Sequence, residues 1–337
     1  MAKIRAAING FGRIGRMVLK AGLNDKDIEW VAINDLTDNK TLAHLFKYDS
    51  AQGRFNGTIK ATDNELMINN KKIQVLAEKD PTKLPWKKLK VDVVVESTGF
   101  FTTRKGASQH LTAGAKKVLV SAPCKCDPGE EPVKTLVMGV NDNIYKGENL
   151  VSNASCTTNC TAPMVKVLND NFKIKRGYLT TVHAYTADQR LVDAPHKDLR
   201  RARAAAHNIV PTTTGAAKSV AETIPELKGK MDGIAIRVPV IAGSITDFVC
   251  EIEKETTKEE INKLFREAAK KELKGVIEYS EDPMVSSDII GNPHSVIFDA
   301  LSTNVIDGKL VKILGWYDNE YGYSCRMIDM IKVIMKK

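Results

Sequence analysis

The sequence predicts an α/β protein in two parts: a doubly wound, mostly parallel N-terminal domain over residues 1–155, then an α+β domain over residues 156–319 on a mixed or antiparallel sheet. Three observations predict it. Strand-like and helix-like patterns alternate up to residue 155, several of the strands there are short valine-rich apolar runs, and afterwards long strand-like stretches follow one another with few helices between them. A chain of 337 residues also exceeds the size, roughly 250 to 300 residues, at which a single core stops growing.

Taken in order, "IRAAING" is a strand and "RIGRMVLKAGL" a helix, with Ile14, Met17, Val18 and Ala21 at helical spacing. "WVAIND" completes a βαβ opening. "VDVVVEST" and "KKVLVSAP" have the composition of strands covered on both faces. After the strand "NLVSNAS", "CTTNCTAPMVKVLNDNF" reads as a helix that begins near Cys156. "RGYLTTVHAYT", "DGIAIRVPV" and "SITDFVCEIE" are the longer strands of the second domain. Between the first two of these, residues 186–210 form a long polar segment with an Arg cluster and weak periodicity, a length usually functional or disordered. A further helix starts at Thr257, with Glu260 three residues on as a capping box. The chain closes on an apolar helical stripe, Met327, Met330, Ile331 and Ile334, that must pack on something.

Composition narrows the function. At 43% hydrophobic and 27% charged, the chain is that of a folded domain with no biased tract. No apolar run approaches the roughly 18 residues needed to span a bilayer, and the N-terminus enters structure at once, so no membrane association and a cytoplasmic location are expected. Six cysteines without a CxxC pair imply reduced thiols and no metal site. The net charge of +9 suits anionic ligands, but its lysines are dispersed, which argues against nucleic acid as the main partner.

"INGFGRIGR" places Gly10, Gly12 and Gly15 in the GxGxxG spacing between a strand and a helix. The spacing gives a tight turn, a close approach of backbone to pyrophosphate, and close helix packing over a helix N-terminus. Asp35, closing the second strand 20 residues after Gly15, could accept hydrogen bonds from an adenosine ribose and would repel a 2′-phosphate. Together these point to a Rossmann domain that binds NAD in preference to NADP.

"NASCTTNC" poses a separate question, because Cys156 could be a zinc ligand, half of a disulfide, a buried packing residue or a nucleophile. Zinc lacks partner ligands at the right spacing, and a disulfide to Cys160 along one helical turn would be distorted. A position at the helix N-terminus favours thiolate and lowers the thiol pKa, which selects a nucleophile, with Cys160 one turn deeper as a structural residue. Thiolate chemistry with NAD suggests aldehyde oxidation through a thiohemiacetal and a thioester. Such chemistry needs a base, and six histidines are available. His183, inside the apolar strand pattern "LTTVHAYT", could be held against Cys156 or could equally be a hydrogen-bonded core residue.

"INGFGRIGR", "ASCTTNC", "HAYTADQ", "PHKDLRRARAAA", "PTTTGAAK" and "WYDNEYGYS" make the chain, nearly end to end, similar to phosphorylating glyceraldehyde-3-phosphate dehydrogenases. The resemblance implies a glycolytic, NAD-dependent conversion of glyceraldehyde 3-phosphate and inorganic phosphate to 1,3-bisphosphoglycerate. It implies Cys156 as nucleophile and His183 as its thiolate partner and base. It places Thr186, Asp188 and Arg237 around the substrate phosphate, and Ser155, Thr157, Arg201, Thr214 and Gly215 around inorganic phosphate. It assigns NAD to Gly10, Phe11, Gly12, Arg13, Ile14, Gly15, Asp35, Thr98, Gly99, Ser121 and Asn319, the last holding the nicotinamide carboxamide. It implies a homotetramer with residues 186–210 at subunit contacts, and a terminal helix, 320–337, that completes the first domain. One position departs from the family's pattern: Ala194 stands before Pro195 where a leucine or glycine is expected. An erythrose-4-phosphate dehydrogenase would share nearly all these strings, and an NAD-binding thiol redox sensor would share the thiol and the turn.

Overall fold

The computed structural model describes residues 2–336. It comprises two compact units, one built from the chain up to Leu136 with Ile144–Ala154 and the segment from Ser324, the other from Val137–Asn143 and Ser155–Tyr323.

In the first unit, strand β1 (Ile4–Asn9) leads through helix α1 (Arg13–Gly22) to β2 (Ile28–Asn34) and α2 (Asn39–Lys47). A meander follows, β3 (Ile59–Ala61), β4 (Glu65–Ile68) and β5 (Lys71–Leu76), then β6 (Val93–Glu96), α3 (Arg104–Thr112), β7 (Lys117–Val120), β8 (Lys134–Thr135) and β9 (Leu150–Ser152). The sheet order is β3-β4-β5-β2-β1-β6-β7-β9-β8, parallel from β5 onward and antiparallel only at the β3–β4–β5 edge. Strand order reverses between β1 and β6, so the crevice at their carboxyl ends is the place where such sheets take ligands. Val93, Val94 and Val95 are each fully buried, as a strand covered on both faces requires.

The second unit opens with α4 (Cys156–Phe172) and β10 (Ile174–Ala184), then β11 (Val210–Thr213), α5 (Ala216–Thr223), β12 (Met231–Val238) and β13 (Ser244–Ile252). After α6 (Lys258–Lys270) come β14 (Ile277–Ser280), β15 (Val296–Ile306), β16 (Leu310–Tyr317) and α7 (Tyr321–Met335). The seven-stranded sheet, β11-β12-β10-β13-β16-β15-β14, is mixed. β10 pairs in parallel with β12 and antiparallel with β13, and β13 alternates buried and half-buried residues along its length.

Two stretches differ from the boundaries expected from the sequence. Residues 137–143 pack with the second unit, where Gly139, at φ +75°, lies so close to Leu273 that a Cβ would sit 2.6 Å from its side chain. Helix α7 begins in the second unit and passes into the first at Ser324. There Met327, Met330, Ile331 and Ile334 are buried, and Lys332 pairs with Asp25 at 2.6 Å. Half of the expected capping box at α6 forms: Thr257 accepts the Glu260 N–H at 3.2 Å, but Glu260 takes the Thr256 hydroxyl, at 2.9 Å, in the place of a Thr257 N–H.

Candidate active site

The glycine turn connects β1 to α1. Gly10 has φ +91°, and a Cβ there would lie 2.7 Å from the Thr98 backbone nitrogen; one on Gly15 would lie 2.1 Å from the Gly10 carbonyl oxygen. A Cβ on Gly12 would meet nothing within 4 Å, so its backbone is open to an approaching group. Gly12 is also the N-cap of α1 and offers no side-chain cap to the first turn, where no acidic residue competes for an anion. Asp35 accepts hydrogen bonds from Phe11 N at 2.7 Å and Thr37 N at 2.9 Å, so its carboxylate braces the turn and retains lone pairs for a ribose.

The other residues expected at the cofactor site contribute unequally. Phe11 is 1% exposed and stacks on Phe46, so only its backbone faces the turn. Arg13 is drawn to the buried Asp49 at 2.8 Å, Gly15 is buried, and Ile14 is half-buried. Thr98 and Gly99, the latter at φ +77°, follow β6, and Ser121 follows β7, its N–H donating to Glu96 O at 2.9 Å. Open backbone at Gly12, an uncapped helix and an acid closing β2 fit an adenine dinucleotide.

In the second unit Cys156 is the first residue of α4 and half-buried. The chain enters through Ala154 at φ +56°, and Ser155 caps the helix by accepting Thr158 N at 3.0 Å. His183 lies near the end of β10, where Leu179, Thr181 and His183 alternate inward. Its Nε2 is 3.5 Å from Cys156 Sγ. The parallel register pairs His183 with Arg237 of β12, and Arg237 Nη1 lies 2.9 Å from His183 Nδ1 and donates to Ala184 O at 3.1 Å. Nδ1 itself is 2.6 Å from Ala184 O. A carbonyl only accepts, so the 2.6 Å contact calls for Nδ1–H; Arg237 Nη1, itself only a donor, then gives its hydrogen to Ala184 O, and the Nε2 lone pair is left toward the thiol.

Burial pushes the Cys156 thiol up, against the Arg237 charge and the hydroxyl and N–H of Thr157. The depressed thiol pKa expected from the helix N-terminus is thereby corrected, since desolvation outweighs those groups. Burial and then Arg237 push His183 down to about 3. Neither group charges readily alone, so a proton passing from Sγ to Nε2 creates both charges together, each offsetting the other. Cys160 is fully buried, bonds Gly315 O at 3.6 Å, and is raised by burial with no basic partner.

The anion-site residues also divide. Arg237 Nε is buried without a hydrogen-bond partner, a donor awaiting an acceptor. Thr186 N reaches Gln189 Oε1 at 3.4 Å, and the buried Gln189 Nε2 has no partner either. Asp188 pairs with Arg201 and lies 3.5 Å from His196, so it orients a guanidinium and is itself unsuited to a phosphate. Arg201 also donates to Thr212 Oγ1 at 2.9 Å and Thr213 O at 3.2 Å. Thr214 and Gly215 lead into α5, where Thr214 Oγ1 accepts Ala216 N at 3.2 Å. The Thr157 side chain is 3.0 Å from the Tyr317 hydroxyl, which lies 2.8 Å from Thr181 Oγ1. Asn319 Oδ1 accepts Gly243 N and Ser244 Oγ, each at 3.1 Å, so its amide oxygen is committed to the start of β13.

Two of these supports went unread in the sequence. Tyr317 stands in "WYDNEYGYS" and packs edge-on against His183 at 6.0 Å, and Ser244 accepts Ala184 N at 3.1 Å, joining the His183 strand to Asn319. Among the described residues no cluster of three metal-ligating side chains occurs, and no helix is long and apolar enough to cross a membrane.

Comparison with known proteins gives the same division of labour. Residues 4–104 match the family model described as glyceraldehyde 3-phosphate dehydrogenase, NAD binding domain, and residues 155–319 the model for its C-terminal domain. The glyceraldehyde-3-phosphate dehydrogenase of Geobacillus stearothermophilus is 56% identical over 336 residues, 99% of each chain. Glyceraldehyde-3-phosphate dehydrogenase 1 of Bacillus subtilis (strain 168) is 55% identical, again over 99% of each, and the Streptomyces coelicolor enzyme 56% over 97% of each. Fold and site are those of an NAD-dependent dehydrogenase. The chain belongs to the glyceraldehyde-3-phosphate dehydrogenase family.

Proposed function

We propose that this chain is the glycolytic enzyme that oxidises glyceraldehyde 3-phosphate with NAD and inorganic phosphate to 1,3-bisphosphoglycerate, the first unit binding the cofactor and the second carrying the reaction. The observation that carries this reading is the 3.5 Å contact between Cys156 Sγ, at the start of α4, and His183 Nε2. His183 takes the thiol proton as Sγ attacks the aldehyde carbon, and returns it to the carbonyl oxygen to give a thiohemiacetal. Bound NAD supplies the hydride acceptor. His183 takes the hydroxyl proton as the carbon is oxidised, leaving a thioester on Sγ. Inorganic phosphate then attacks the thioester carbonyl, and Sγ departs to recover the proton.

Arg237, with its unpartnered Nε, and Thr186 hold the substrate phosphate; Ser155, Arg201, Thr214 and Gly215 hold inorganic phosphate, with Thr157 contributing through its backbone. Asp188 acts by orienting Arg201. Gly10, Phe11, Gly12, Arg13, Ile14, Gly15, Asp35, Thr98, Gly99 and Ser121 form the NAD seat, and the Asn319 amide takes the carboxamide.

The exposed Leu191, Val192, Leu199 and Ile209, 80%, 69%, 80% and 70% accessible, support burial of residues 186–210 between subunits of a homotetramer. Light scattering should return four times the 37.1 kDa chain mass. A thiol that must stay reduced supports a cytoplasmic location, which fractionation tests. The deciding experiment follows NADH formation from the triose phosphate with and without inorganic phosphate. A strict phosphate requirement is expected; preference for erythrose 4-phosphate or absence of NADH would overturn the reading in favour of the tetrose enzyme or a redox sensor.

A further inference from the structure

Beneath the glycine turn lies a buried polar cluster that none of the proposed steps uses. Glu96, the last residue of β6, is 1% exposed. Its Oε2 accepts Asn9 Nδ2 at 2.6 Å and lies 2.9 Å from His110 Nε2; its Oε1 accepts the Thr98 N–H at 2.8 Å and the Thr98 hydroxyl. Trp86 Nε1 donates to His110 Nδ1 at 3.1 Å. An indole nitrogen can only donate, so Nδ1 offers its lone pair and Nε2 keeps the proton that Glu96 accepts. A buried carboxylate is thus held by four neutral donors, an arrangement that tolerates no missing member.

The cluster reaches the turn from two sides. Asn9, whose amide nitrogen is committed to Glu96, accepts Asn34 Nδ2 at 2.7 Å, and Asn34 Oδ1 accepts Glu78 N at 2.9 Å. The line of amides therefore crosses the carboxyl ends of β6, β1 and β2, where the strand order reverses. On the other side, Ser97 Oγ donates to Gly10 O at 2.7 Å, and Thr98 N abuts Gly10 with no room for a Cβ.

We propose that Glu96 is a positioning residue for NAD: its carboxylate fixes Thr98 and, through Asn9, the height of the Gly10–Gly15 turn that receives the pyrophosphate. The inference rests on the reading of that turn as the cofactor seat. Glu96→Gln keeps the shape but turns one acceptor into a donor, so it must face Asn9 and His110, or Thr98, donor to donor. In Asn9→Asp/Glu96→Gln the polarity is exchanged. The new carboxylate at position 9 accepts from the amide at 96, from His110 and from Asn34, while the amide oxygen still accepts both Thr98 donors.

The test uses the full chain and three readouts: NAD affinity by fluorescence titration, thermal stability, and the rate of Cys156 alkylation without cofactor. Glu96→Gln should weaken NAD binding at least about tenfold and leave the alkylation rate within about twofold of the parent. The double variant should regain affinity to within about threefold, a rescue that loss of packing alone would not produce. Gly12→Val tests the underlying reading alone. If it binds NAD normally, the turn is not the seat and the inference falls with that reading. If it loses NAD while Glu96→Gln does not, the reading stands and the inference is overturned. Should Glu96→Gln fail to fold, the double variant decides. Near-parental affinity supports the proposal, whereas weak binding, or failure of both to fold, makes Glu96 a core residue only.

Discussion

Two helix N-termini, that of α1 in the first unit and that of α4 in the second, each follow a strand and a tight turn, and they serve different ends. At α1 the N-cap is Gly12, with no side chain to satisfy the first-turn N–H groups, and the space beside it is open. At α4 the N-cap is Ser155, which accepts Thr158 N, and the first helical residue is a half-buried cysteine. The backbone dipoles are alike, yet one end is shaped for an anionic ligand and the other holds a thiol whose pKa burial raises. A helix N-terminus therefore acquires its chemistry from its cap and its burial, and in the second unit from Arg237 and His183.

The sharpest way to break this comparison is at the thiol. Cys156→Ser should lower turnover by roughly a thousandfold or more while NAD affinity holds, and Cys160→Ser should keep most activity. The reverse ranking, in steady-state NADH formation, would mean that the wrong cysteine had been assigned. His183→Asn should cost about 10²- to 10⁴-fold in kcat/KM and slow alkylation of Cys156 near neutral pH, because the thiol loses its proton acceptor. At the other helix, Asp35→Ala should reduce an NAD over NADP preference of at least about tenfold in catalytic efficiency. Equal efficiency with both cofactors in the parent would sink that assignment.

Smaller effects sharpen the same contrast. With His183 lowered from 6.5 to about 3, the unfolded chain binds a proton that the folded chain refuses between those values. The stability from this neutral imidazole is complete above about pH 6.5 and is lost on acidification, with a slope of at most about 1.4 kcal/mol per pH unit. Urea unfolding at neutral and mildly acidic pH should show a shallower acid loss for His183→Asn; equal slopes would exclude the effect. Tyr317→Phe removes the hydroxyl between Thr157 and Thr181 and should destabilise by about 1 to 3 kcal/mol in the same assay, with a modest fall in kcat.

What the sequence disclosed follows from how local each feature is. The Gly10–Gly15 turn, Asp35 and the Thr257 cap are set by spacing within one or two elements, and the valine runs report burial on both faces. The approach of His183 to Cys156 depends on how β10 folds beside α4, and no spacing encodes it. Strand register decided that Arg237 stands beside His183. Asp188 illustrates the limit in another way: its position in a motif suggested phosphate, whereas its charge and the nearness of Arg201 make it a brace. The Glu96 cluster joins residues from Asn9 to His110, distances along the chain over which periodicity is silent.

Ala154, held at φ +56° immediately before the α4 cap, has a consequence for local opening. Glycine would relieve the left-handed cost of about 1 kcal/mol but would also enlarge the unfolded ensemble by a comparable amount, so Ala154→Gly should change the melting temperature little. The alanine instead narrows the conformations available to a partly opened turn. Amide hydrogen exchange over residues 154–158 should therefore quicken in the glycine variant while global protection stays the same, which makes the methyl group at 154 a brake on the excursions of the reactive thiol.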